Sequence, residues 1–497
     1  MLFIGIDLGT SAVKAVVADE EGTVVATCAR EYSCEHPHLG WSEQDPRVWY
    51  TQSLSAIREL LSSPVIDAKE VRGISFGGQM HGLVVLDKDD NVIRPAILWN
   101  DGRSERECEY LNKEIGTTKL SEWCGNIAFP GFTAPKLLWM RKNEPELFDR
   151  IRKVMLPKDY LVFRLSGSFS TDVSDASGTL LFDVRARNWS EPMLDLCGLS
   201  HDQVPKVYES YERVGTLLVD IADELGLSHE VVVIAGAGDN AAAAIGCGVV
   251  DEGQCNISIG TSGTLFVPSN SFRVDKRNSL HSFADATGGY HLMGCILSAA
   301  SAYSWWVQDV LGSDGLSPRD RGLDGIELGT NPVLFLPYLM GERSPVNDAL
   351  ARGAFVGMSL STSQAQMTLA VMEGVAFALR DSFECARGMG IEINRVTMCG
   401  GGAKNPIWRK VIADVLDEPV CLLRREEGPG FGACILAMVG CGLFPNVASA
   451  ARRFNGVEKT IEPDVTEAVA YKRMYARYGR LYPALKELFH LPEAELS

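Results

Sequence analysis

The chain has 497 residues, a formal charge of −17 and a hydrophobic fraction of 46%, and these properties already limit its class. Its length exceeds that of one typical domain and predicts two or three. A nucleic acid is not expected to bind so acidic a chain. The thirteen cysteines include no CxxC pair, and no signal peptide precedes the first strand-like segment, so we expect a cytoplasmic protein.

The first segments of the chain predict an antiparallel meander followed by a mixed α/β region. Apolar alternation indicates strands at 2–8, 12–18 and 23–29, each separated from the next by a tight turn. Beyond Asp45 the sequence predicts a helix at 48–61, strands at 71–76 and 83–86, and a helix at 104–115. The expected fold class is therefore α/β.

The turn between the first two strands has the composition of an anion-binding loop. Gly9, Thr10 and Ser11 combine a glycine that tolerates positive φ with hydroxyl donors and convergent backbone N–H groups. Asp7 ends the preceding strand, and a carboxylate beside a phosphate is favourable when a metal ion such as Mg²⁺ lies between them. A plain hairpin turn with a surface acid explains the same residues equally well. The chain contains no GxxxxGK[ST] motif, so a P-loop is not supported.

A second copy of this turn lies near the middle of the chain. The segment NISIGTSGTLF contains Gly260, Thr261 and Ser262 between two strand-like runs, about half a chain length after the first turn. The copies differ in the strand that precedes the turn, because Ser258 takes the place of Asp7.

This repeat predicts two domains of one architecture, at 1–245 and 246–497. Two such turns, one in each domain, would face each other across a cleft and hold a polyphosphate between them. Backbone N–H groups and a metal ion would then offset the negative charge of the chain locally.

The segment EVVVIAGAGDNAAAAIGCG carries the next candidate residue. A buried strand is predicted at 231–235, two glycines end it, and Asp239 precedes a small-residue helix at 240–245. Asp before a helix is typical of an N-cap. The carboxyl end of a strand is also where α/β sheets bind ligands, and a carboxylate there could accept a proton from a substrate hydroxyl. The two roles are compatible, and both interpretations stay open.

Two glycine-rich segments in the second half are candidates for a nucleotide pocket. Gly400, Gly401 and Gly402 lie between a strand and a helix and would let the backbone approach adenosine, although a plain turn fits as well. Residues 428–451 carry no charge. A membrane span needs about 20 mostly apolar residues, and glycines and prolines interrupt this segment. We therefore expect a buried helix beside the same pocket and no membrane association.

A polar loop in the first half is a candidate sugar site. Gln79 and His81, with the nearby Trp99, Asn100 and Asp101, offer donors, acceptors and an apolar face suited to a polyol. An ordinary loop histidine and a core tryptophan would explain the same residues without a ligand.

Together these segments resemble the FGGY family of carbohydrate kinases, within the actin–hexokinase superfamily. GFTAPKLLWMRKN at 131–143 and GAFVGMSLSTSQAQMTLAVME at 353–373 are similar to the two long signatures of that family. GWSEQDP, GQMHG, ILWNDGR, LPKDYL, GDNAA and GTSG are similar to the branch of the family that acts on xylulose. The resemblance covers nearly the whole chain. It implies two ribonuclease-H-like domains flanking a catalytic cleft, with the sugar mainly in the first domain and ATP with Mg²⁺ mainly in the second.

The resemblance also implies roles for individual residues. Asp239 matches the catalytic base, Met80 and His81 match the sugar-contacting pair, and Asp7 matches the metal-associated acid. Glycerol kinases of the family have an Arg-Glu pair where this chain has Met-His. The other implied sugar contacts are Gln79, Trp99, Asn100, Asp101 and Asn240. The implied ATP contacts are Gly9, Thr10, Ser11, Lys14, Gly260, Thr261, Ser262, Gly401, Gly402, Ala403 and Asn405, of which Lys14 and Asn405 match the family less closely.

The implied activity is ATP-dependent phosphorylation of a ketopentose, with D-xylulose converted to D-xylulose 5-phosphate. One alternative is a kinase of the same fold for L-ribulose, L-xylulose or glycerol. The other is a nucleotide-gated binding protein like actin or its chaperone relatives. An acid in a Gly-Asp-Asn motif beside polyol-type residues favours the enzyme. The expected partners are a sugar and ATP, and a homodimer is left open.

Overall fold

Two large β-sheets organise the protein, one built from each half of the chain. The computed structural model describes residues 1–312, 322–323, 325–424 and 428–491. Each sheet has seven strands, and helices connect and flank them. The fold is therefore α/β, as predicted, with two halves of related architecture.

The first half contains the first sheet and the helices and short strands that flank it. Its strands are β1 Leu2–Leu8, β2 Ala12–Asp19, β3 Val24–Glu31, β4 Glu43–Gln44, β5 Val71–Gly78, β6 Val84–Leu86, β7 Ala96–Ile97, β8 Lys153–Met155, β9 Ser170–Asp172, β10 Phe182–Asp183, β11 Asn188–Trp189, β12 Lys206–Tyr208, β13 Arg213–Thr216, β14 Val232–Ile234 and β15 Ala237–Gly238. Its helices are α1 Pro46–Leu61, α2 Glu105–Glu109, α3 Thr117–Cys124, α4 Thr133–Asn143, α5 Pro145–Phe148, α6 Pro157–Ser166, α7 Val173–Ala176, α8 Glu191–Cys197, α9 Val219–Leu225 and α10 Asp239–Gly246.

The second half contains the second sheet and the longest helix. Its strands are β16 Gln254–Ile259, β17 Gly263–Ser269, β18 His281–Ala284, β19 Tyr290–Ile296, β20 Leu334–Leu336, β21 Ala354–Val356, β22 Arg395–Cys399, β23 Val420–Leu423 and β24 Val457–Ile461. Its helices are α11 Ala300–Ser304, α12 Gln364–Gly388, α13 Pro406–Leu416, α14 Gly428–Gly440, α15 Val447–Phe454, α16 Val465–Tyr478 and α17 Leu481–Phe489. Short 3₁₀ segments lie at Ala68–Glu70, Ser177–Thr179, His201–Gln203 and Gly401–Lys404, and π-helical segments at Tyr110–Gly116 and Trp305–Val310.

The two sheets repeat one topology. In the first, β1, β2 and β3 form an antiparallel meander, β5 and β14 follow parallel to β1 on its other side, and β13 closes the edge. In the second, β16, β17 and β19 form the meander, β22 and β23 follow parallel to β16, and β24 closes the edge. The repeated Gly-Thr-Ser turn therefore marks a repeated architecture, since it connects β1 to β2 and β16 to β17.

The elements predicted for the first 120 residues are mostly confirmed. The meander strands agree with β1, β2 and β3 to within two residues at each end. The helix predicted at 104–115 occupies 105–116, but its second half is π-helical. Gly116 has a φ of 97°, which separates this helix from α3 and explains why the two do not form one continuous rod.

The uncharged segment that follows residue 427 forms α14, a buried helix on the first sheet. In the part of the chain that the structure describes, no helix is long and apolar enough to cross a membrane. Although α14 belongs to the second half, it packs against β1, β5 and α10. Glycines permit this approach: a Cβ on Gly5 would overlap the carbonyl oxygen of Gly430, and one on Gly432 would overlap that of Ala242. Close backbone contact therefore joins the two halves.

We expect Gly432→Val to destabilise the protein by about 1–3 kcal/mol or more, because no space exists for a side chain between α14 and α10. The matched control is Gly388→Ala at the end of α12, where a Cβ meets nothing within 4 Å. It should leave the free energy of unfolding unchanged or raise it by up to about 1 kcal/mol. Urea denaturation measures both, and equal stability of the two variants would contradict the packing described.

Candidate active site

The carboxyl ends of neighbouring strands in the first sheet bring two carboxylates together. β1 and β5 are parallel with Asp7 opposite Gly77, and β15 pairs with β5 so that Ala237 also lies opposite Gly77. Asp239 follows β15 directly. Asp7 and Asp239 therefore lie at the same edge of the sheet, where α/β proteins bind their ligands.

Asp239 is the first residue of α10, and Gly238 is the N-cap residue, so the N-cap interpretation of Asp239 is wrong by one position. The extended backbone of Gly238 already turns the chain into the helix. Asp239 Oδ1 accepts hydrogen bonds from the backbone N–H of Asn240 at 2.7 Å and from its Nδ2 at 3.1 Å. Burial raises the pKa of Asp239 to about 6, and the Asn240 N–H opposes that shift. Such a carboxylate suits a general base near neutral pH.

Asp7 is the residue best placed to hold a metal ion. Burial, and then the charge of Asp239, raise the pKa of Asp7 to about 7, while Lys14 on β2 lowers it. No group in the described ranges donates a hydrogen bond to the Asp7 carboxylate, and those ranges contain no cluster of three metal-ligating side chains. Mg²⁺ typically takes one or two protein carboxylates and completes its shell with water and phosphate. Asp7 and its surroundings therefore fit Mg²⁺.

Both Gly-Thr-Ser turns leave backbone donors free. Gly9 N–H closes the first turn on Ala12 O, and Gly260 N–H closes the second on Ser262 O, both at 3.0 Å. Within the two turns, the backbone N–H groups of Thr10, Ser11, Thr261 and Ser262 have no acceptor among the described residues. Free convergent N–H groups of this kind bind anions, so each turn can hold phosphate oxygens.

A cavity of about 420 Å³ lies between the two halves. The first half contributes Asp239 and Asn240 to its wall, and the second half contributes Gly400, Gly401 and Lys404. Its other lining residues are Ala243, Cys247, Ser258, Cys399, Gly428 and Pro429. A Cβ on Gly401 would meet nothing within 4 Å, so this glycine leaves its side of the cavity open. The volume is that of an ordinary small-molecule site.

The other predicted adenosine contacts build the turn beneath this cavity. Gly402 and Ala403 are buried, and a Cβ on Gly402 would overlap the side chain of Ile259. Asn405 is the N-cap of α13, where its Oδ1 accepts two backbone N–H groups at 3.0 and 3.2 Å. These three residues shape the turn, while Gly400 and Gly401 line the cavity.

His81 follows β5 and has a backbone conformation that is uncommon for a non-glycine residue, with a φ of 69°. Its Nδ1 donates to the carbonyl oxygen of Gly178 at 2.7 Å. Burial lowers the pKa of His81 to about 3, so the ring is neutral at physiological pH. Nε2 is then an acceptor, and over the described residues it has no hydrogen-bond partner.

The loop around His81 is fixed by its neighbours. Lys136 is fully buried and donates to the carbonyl oxygens of His81 at 2.9 Å and of Gly131 at 2.7 Å. Met80 fills the space beside Gly238, because a Cβ on this glycine would lie 2.9 Å from the Cγ of Met80. The Met80–His81 pair therefore lies next to the residue that precedes Asp239.

Gln79 and Trp99 both form hydrogen bonds with Thr10 in the first Gly-Thr-Ser turn. Thr10 Oγ1 donates to Gln79 Oε1 at 3.2 Å and accepts from Trp99 Nε1 at 2.9 Å. Gln79 Nε2 also lies 3.4 Å from the carbonyl oxygen of Gly9. Gln79 and Trp99 therefore hold the first Gly-Thr-Ser turn in place.

Asp101 and Asn100 are placed differently from one another. The Asp101 carboxylate is buried in an ion pair with Arg103 at 2.7 Å and accepts the backbone N–H of Ser42 at 2.6 Å. Asn100 is exposed. The Asp101 carboxylate therefore accepts hydrogen bonds from other groups of the protein. A sugar contact by this residue stays a prediction.

A buried ionic cluster that no sequence pattern predicted lies behind Asp239. Lys158 Nζ lies 2.7 Å from Asp159, 3.1 Å from Asp172 and 3.9 Å from Asp175, and these side chains are at most 1% exposed. Lys158 also donates to the carbonyl oxygen of Ala235 at 3.2 Å, in the segment that leads to Asp239. Burial raises the pKa of Asp175 well above its usual range. The lysine next to an aspartate in LPKDYL was the one signal in the sequence.

Known proteins resemble this chain over almost its full length. The FGGY family of carbohydrate kinases matches with its N-terminal domain over residues 2–246 and with its C-terminal domain over 255–441. Xylulose kinase of Escherichia coli (strain K12) is 39% identical over 489 residues, covering 98% of this chain and 100% of that protein.

Solved structures show the same similarity. A xyloylose kinase from Brucella ovis superposes with a TM-score of 0.94 at 41% identity, covering 98% of this chain and 100% of that one. A gluconate kinase from Lactobacillus acidophilus has a TM-score of 0.93 at 27% identity, covering 97% and 98%. These two neighbours differ in the substrate that they are named for while sharing the fold.

We expect Lys158→Met to destabilise the protein by about 3–5 kcal/mol, because it leaves buried carboxylates without their cation. Burial already raises the pKa values of Asp159 and Asp175, and without the lysine charge they rise further, so the folded state binds more protons than the unfolded state. The loss should therefore be smaller at pH 5 than at pH 8. The control Lys88→Met removes an exposed pair with Asp89 and should change stability by less than about 0.5 kcal/mol. Urea denaturation at both pH values tests this, and equal effects of the two variants would contradict it.

Proposed function

Because the chain belongs to the FGGY family of carbohydrate kinases, we propose that it phosphorylates a pentulose with ATP, and that its substrate is D-xylulose. The product is D-xylulose 5-phosphate. The observation that carries this proposal is the position of Asp239, which lines a cavity shared by both halves and follows the residue packed against Met80. The similarity to the Escherichia coli xylulose kinase supports the choice of sugar.

In this mechanism the carboxylate of Asp239 orients the terminal hydroxyl and accepts its proton while that oxygen attacks the γ-phosphorus. The new bond joins O5 to phosphorus, and the bond from phosphorus to the β–γ bridging oxygen breaks to release ADP. The free N–H groups of the two turns stabilise the charge that spreads over the phosphoryl oxygens. Water is a competing nucleophile, so the two halves must close around the sugar to exclude it.

Asp7 would hold Mg²⁺ in this proposal, and the carboxylate without hydrogen-bond donors supports that role. When bound, the ion neutralises charge on the phosphate oxygens. We further propose that the sugar occupies the domain at 1–245, that ATP binds mainly to the domain at 246–497, and that Lys14 lies near the phosphates. None of the thirteen cysteines, all of which lie in the described residues, forms a disulfide, and this supports a cytoplasmic site of action. A homodimer stays a prediction.

A kinase for another sugar is the second candidate, since a gluconate kinase shares this fold. A coupled assay of ADP release over D-xylulose, L-xylulose, L-ribulose, glycerol and gluconate separates the candidates. We expect the highest kcat/KM with D-xylulose. A higher kcat/KM with another sugar would identify that sugar as the substrate and would leave the assignment as a sugar kinase unchanged. ATP turnover that does not depend on any sugar would instead indicate a nucleotide-gated binding protein.

We expect Asp239→Asn to lower kcat for sugar phosphorylation by about 10²–10⁴-fold, the usual contribution of a positioned general base. The amide keeps the shape of the side chain, so ATP affinity should stay near that of the wild type. In the wild type, kcat/KM should fall as the pH drops through about 6, because protonated Asp239 cannot accept a proton. Steady-state kinetics from pH 5 to 8 and ATP titration test this. A folded variant with normal turnover would remove the catalytic assignment.

The asymmetry between the two turns gives a matched pair of variants. Asp7→Ala should raise the Mg²⁺ concentration needed for half-maximal activity and lower kcat at least about tenfold, because it removes a metal-binding carboxylate. Ser258→Ala changes the equivalent position of the second copy, which lines the same cavity, and should leave the Mg²⁺ requirement unchanged. Titrating Mg²⁺ against activity compares the two, and identical Mg²⁺ dependence would rule out the role of Asp7.

A further inference from the structure

A cation from the second half of the chain lies beside the sugar-side loop of the first. Arg343 sits in a tight loop in which Glu342 pairs with Asp348. Its Nη2 would lie 3.5 Å from a Cβ on Gly131, and its guanidinium carbon lies 5.7 Å from the ring centre of Phe129. Arg343 therefore reaches across the junction between the two halves.

Among the described residues, none accepts a hydrogen bond from the guanidinium of Arg343. Over the residues that the structure describes, its side chain donates no hydrogen bond and forms no ion pair, and its one ring contact is with Phe129. Arg352, in the same segment, instead donates to the carbonyl oxygens of Ala349 at 2.9 Å and Ala351 at 2.8 Å. A half-buried guanidinium with five donors and no acceptor is prepared for a ligand that accepts hydrogen bonds.

A continuous wall of side chains runs from the catalytic base to Arg343. Met80 packs on the residue before Asp239, and His81 follows Met80 in the chain. The next contacts along the wall, measured between ring centres or to the guanidinium carbon, are His81 to Phe132 at 4.8 Å, Phe132 to Phe129 at 5.5 Å and Phe129 to Arg343 at 5.7 Å. Arg343 therefore lies at the end of the wall away from Asp239, with His81 between them.

His81 and Arg343, which lie along this wall, have complementary hydrogen-bonding groups. Arg343 can only donate hydrogen bonds. His81 Nε2 can only accept one, because Nδ1–H is used by the carbonyl oxygen of Gly178. The charge of Arg343 also contributes to lowering the pKa of His81, after burial, and so helps to keep the ring neutral.

We propose that Arg343 and His81 recognise the hydroxyketone end of the sugar, with Arg343 donating to the C2 carbonyl oxygen and His81 Nε2 accepting the C1 hydroxyl proton. This inference rests on the proposed pentulose kinase function and specifies the chemistry that its site reads. A carbonyl oxygen carries no proton, so it matches a group that only donates. In a polyol, the proton of the C2 hydroxyl competes for the same His81 Nε2, which leaves one hydroxyl without its acceptor.

The test compares a ketose with the matching polyol in the full-length protein. Dissociation constants for D-xylulose and xylitol are measured by calorimetry in the wild type, Arg343→Gln, Arg343→Lys and the control Arg352→Gln. The wild type should bind D-xylulose at least about tenfold more tightly than xylitol. Arg343→Gln should weaken D-xylulose binding at least about tenfold and xylitol binding less than threefold. The reason is that replacing the ketone of D-xylulose by the hydroxyl of xylitol already removes the interaction that the substitution removes. The affinity of Arg343→Lys for D-xylulose should lie between that of the wild type and that of Arg343→Gln. The control Arg352→Gln should bind both ligands as the wild type does.

The position of the C1 contact is tested with 1-deoxy-D-xylulose. The wild type should lose at least about tenfold in kcat/KM on this sugar, whereas His81→Ala should use it and D-xylulose equally. A wild type that uses both sugars equally would overturn the C1 assignment.

Equal affinity of the wild type for D-xylulose and xylitol would overturn the proposal without any variant, so it stays testable even if Arg343→Gln fails to fold. Unchanged D-xylulose affinity in folded Arg343→Gln would overturn it as well. A parallel loss of background ATP hydrolysis in Arg343→Gln would mean that the residue is structural, which also contradicts the proposal. A wild type that phosphorylates no pentulose would instead refute the proposed function, and the coupled assay distinguishes that result from the others.

Discussion

The close contact between α14 and the first sheet is the constraint on which the site depends. Glycines at positions 5, 430 and 432 let backbone meet backbone, so a helix from the second half rests on the strand that carries Asp7. The N-terminal end of the same helix supplies Gly428 and Pro429 to the cavity that Asp239 also lines. Without this contact, Asp239 of the first half and the turn at Gly400 and Gly401 of the second half would not line the same cavity.

The electrostatics of the cleft follow from that geometry. A chain with a charge of −17 must accommodate a polyphosphate beside two carboxylates whose pKa values are both raised, Asp7 to about 7 and Asp239 to about 6. Free backbone N–H groups and a bound cation can offset this charge, together with Lys14 beside Asp7 and Lys404 in the cavity wall. Behind Asp239, Lys158 balances part of the charge of three buried carboxylates and donates a hydrogen bond to the carbonyl oxygen of Ala235, four residues before Asp239.

Local patterns allowed much of the fold to be predicted, while the long-range contacts were beyond them. The meander, the repeated turn and the strand that leads to Asp239 follow from alternation and glycine placement over a few residues. The π-helical end of the helix after Ser104 and the N-cap at Gly238 depend on single backbone angles, which propensity does not resolve. Arg343 contacts residues more than 200 positions earlier in the chain, and no local pattern marks such a pair.

The central claim is that the cleft holds the sugar with its terminal hydroxyl at Asp239 and its ketone at the opposite end. The position of the phosphate on the product tests this most directly. Two-dimensional ¹H–³¹P NMR of the product formed from D-xylulose and ATP should show phosphorus coupled to the protons of C5. Coupling to the protons of C1 would place the ketone end at the base and contradict the account.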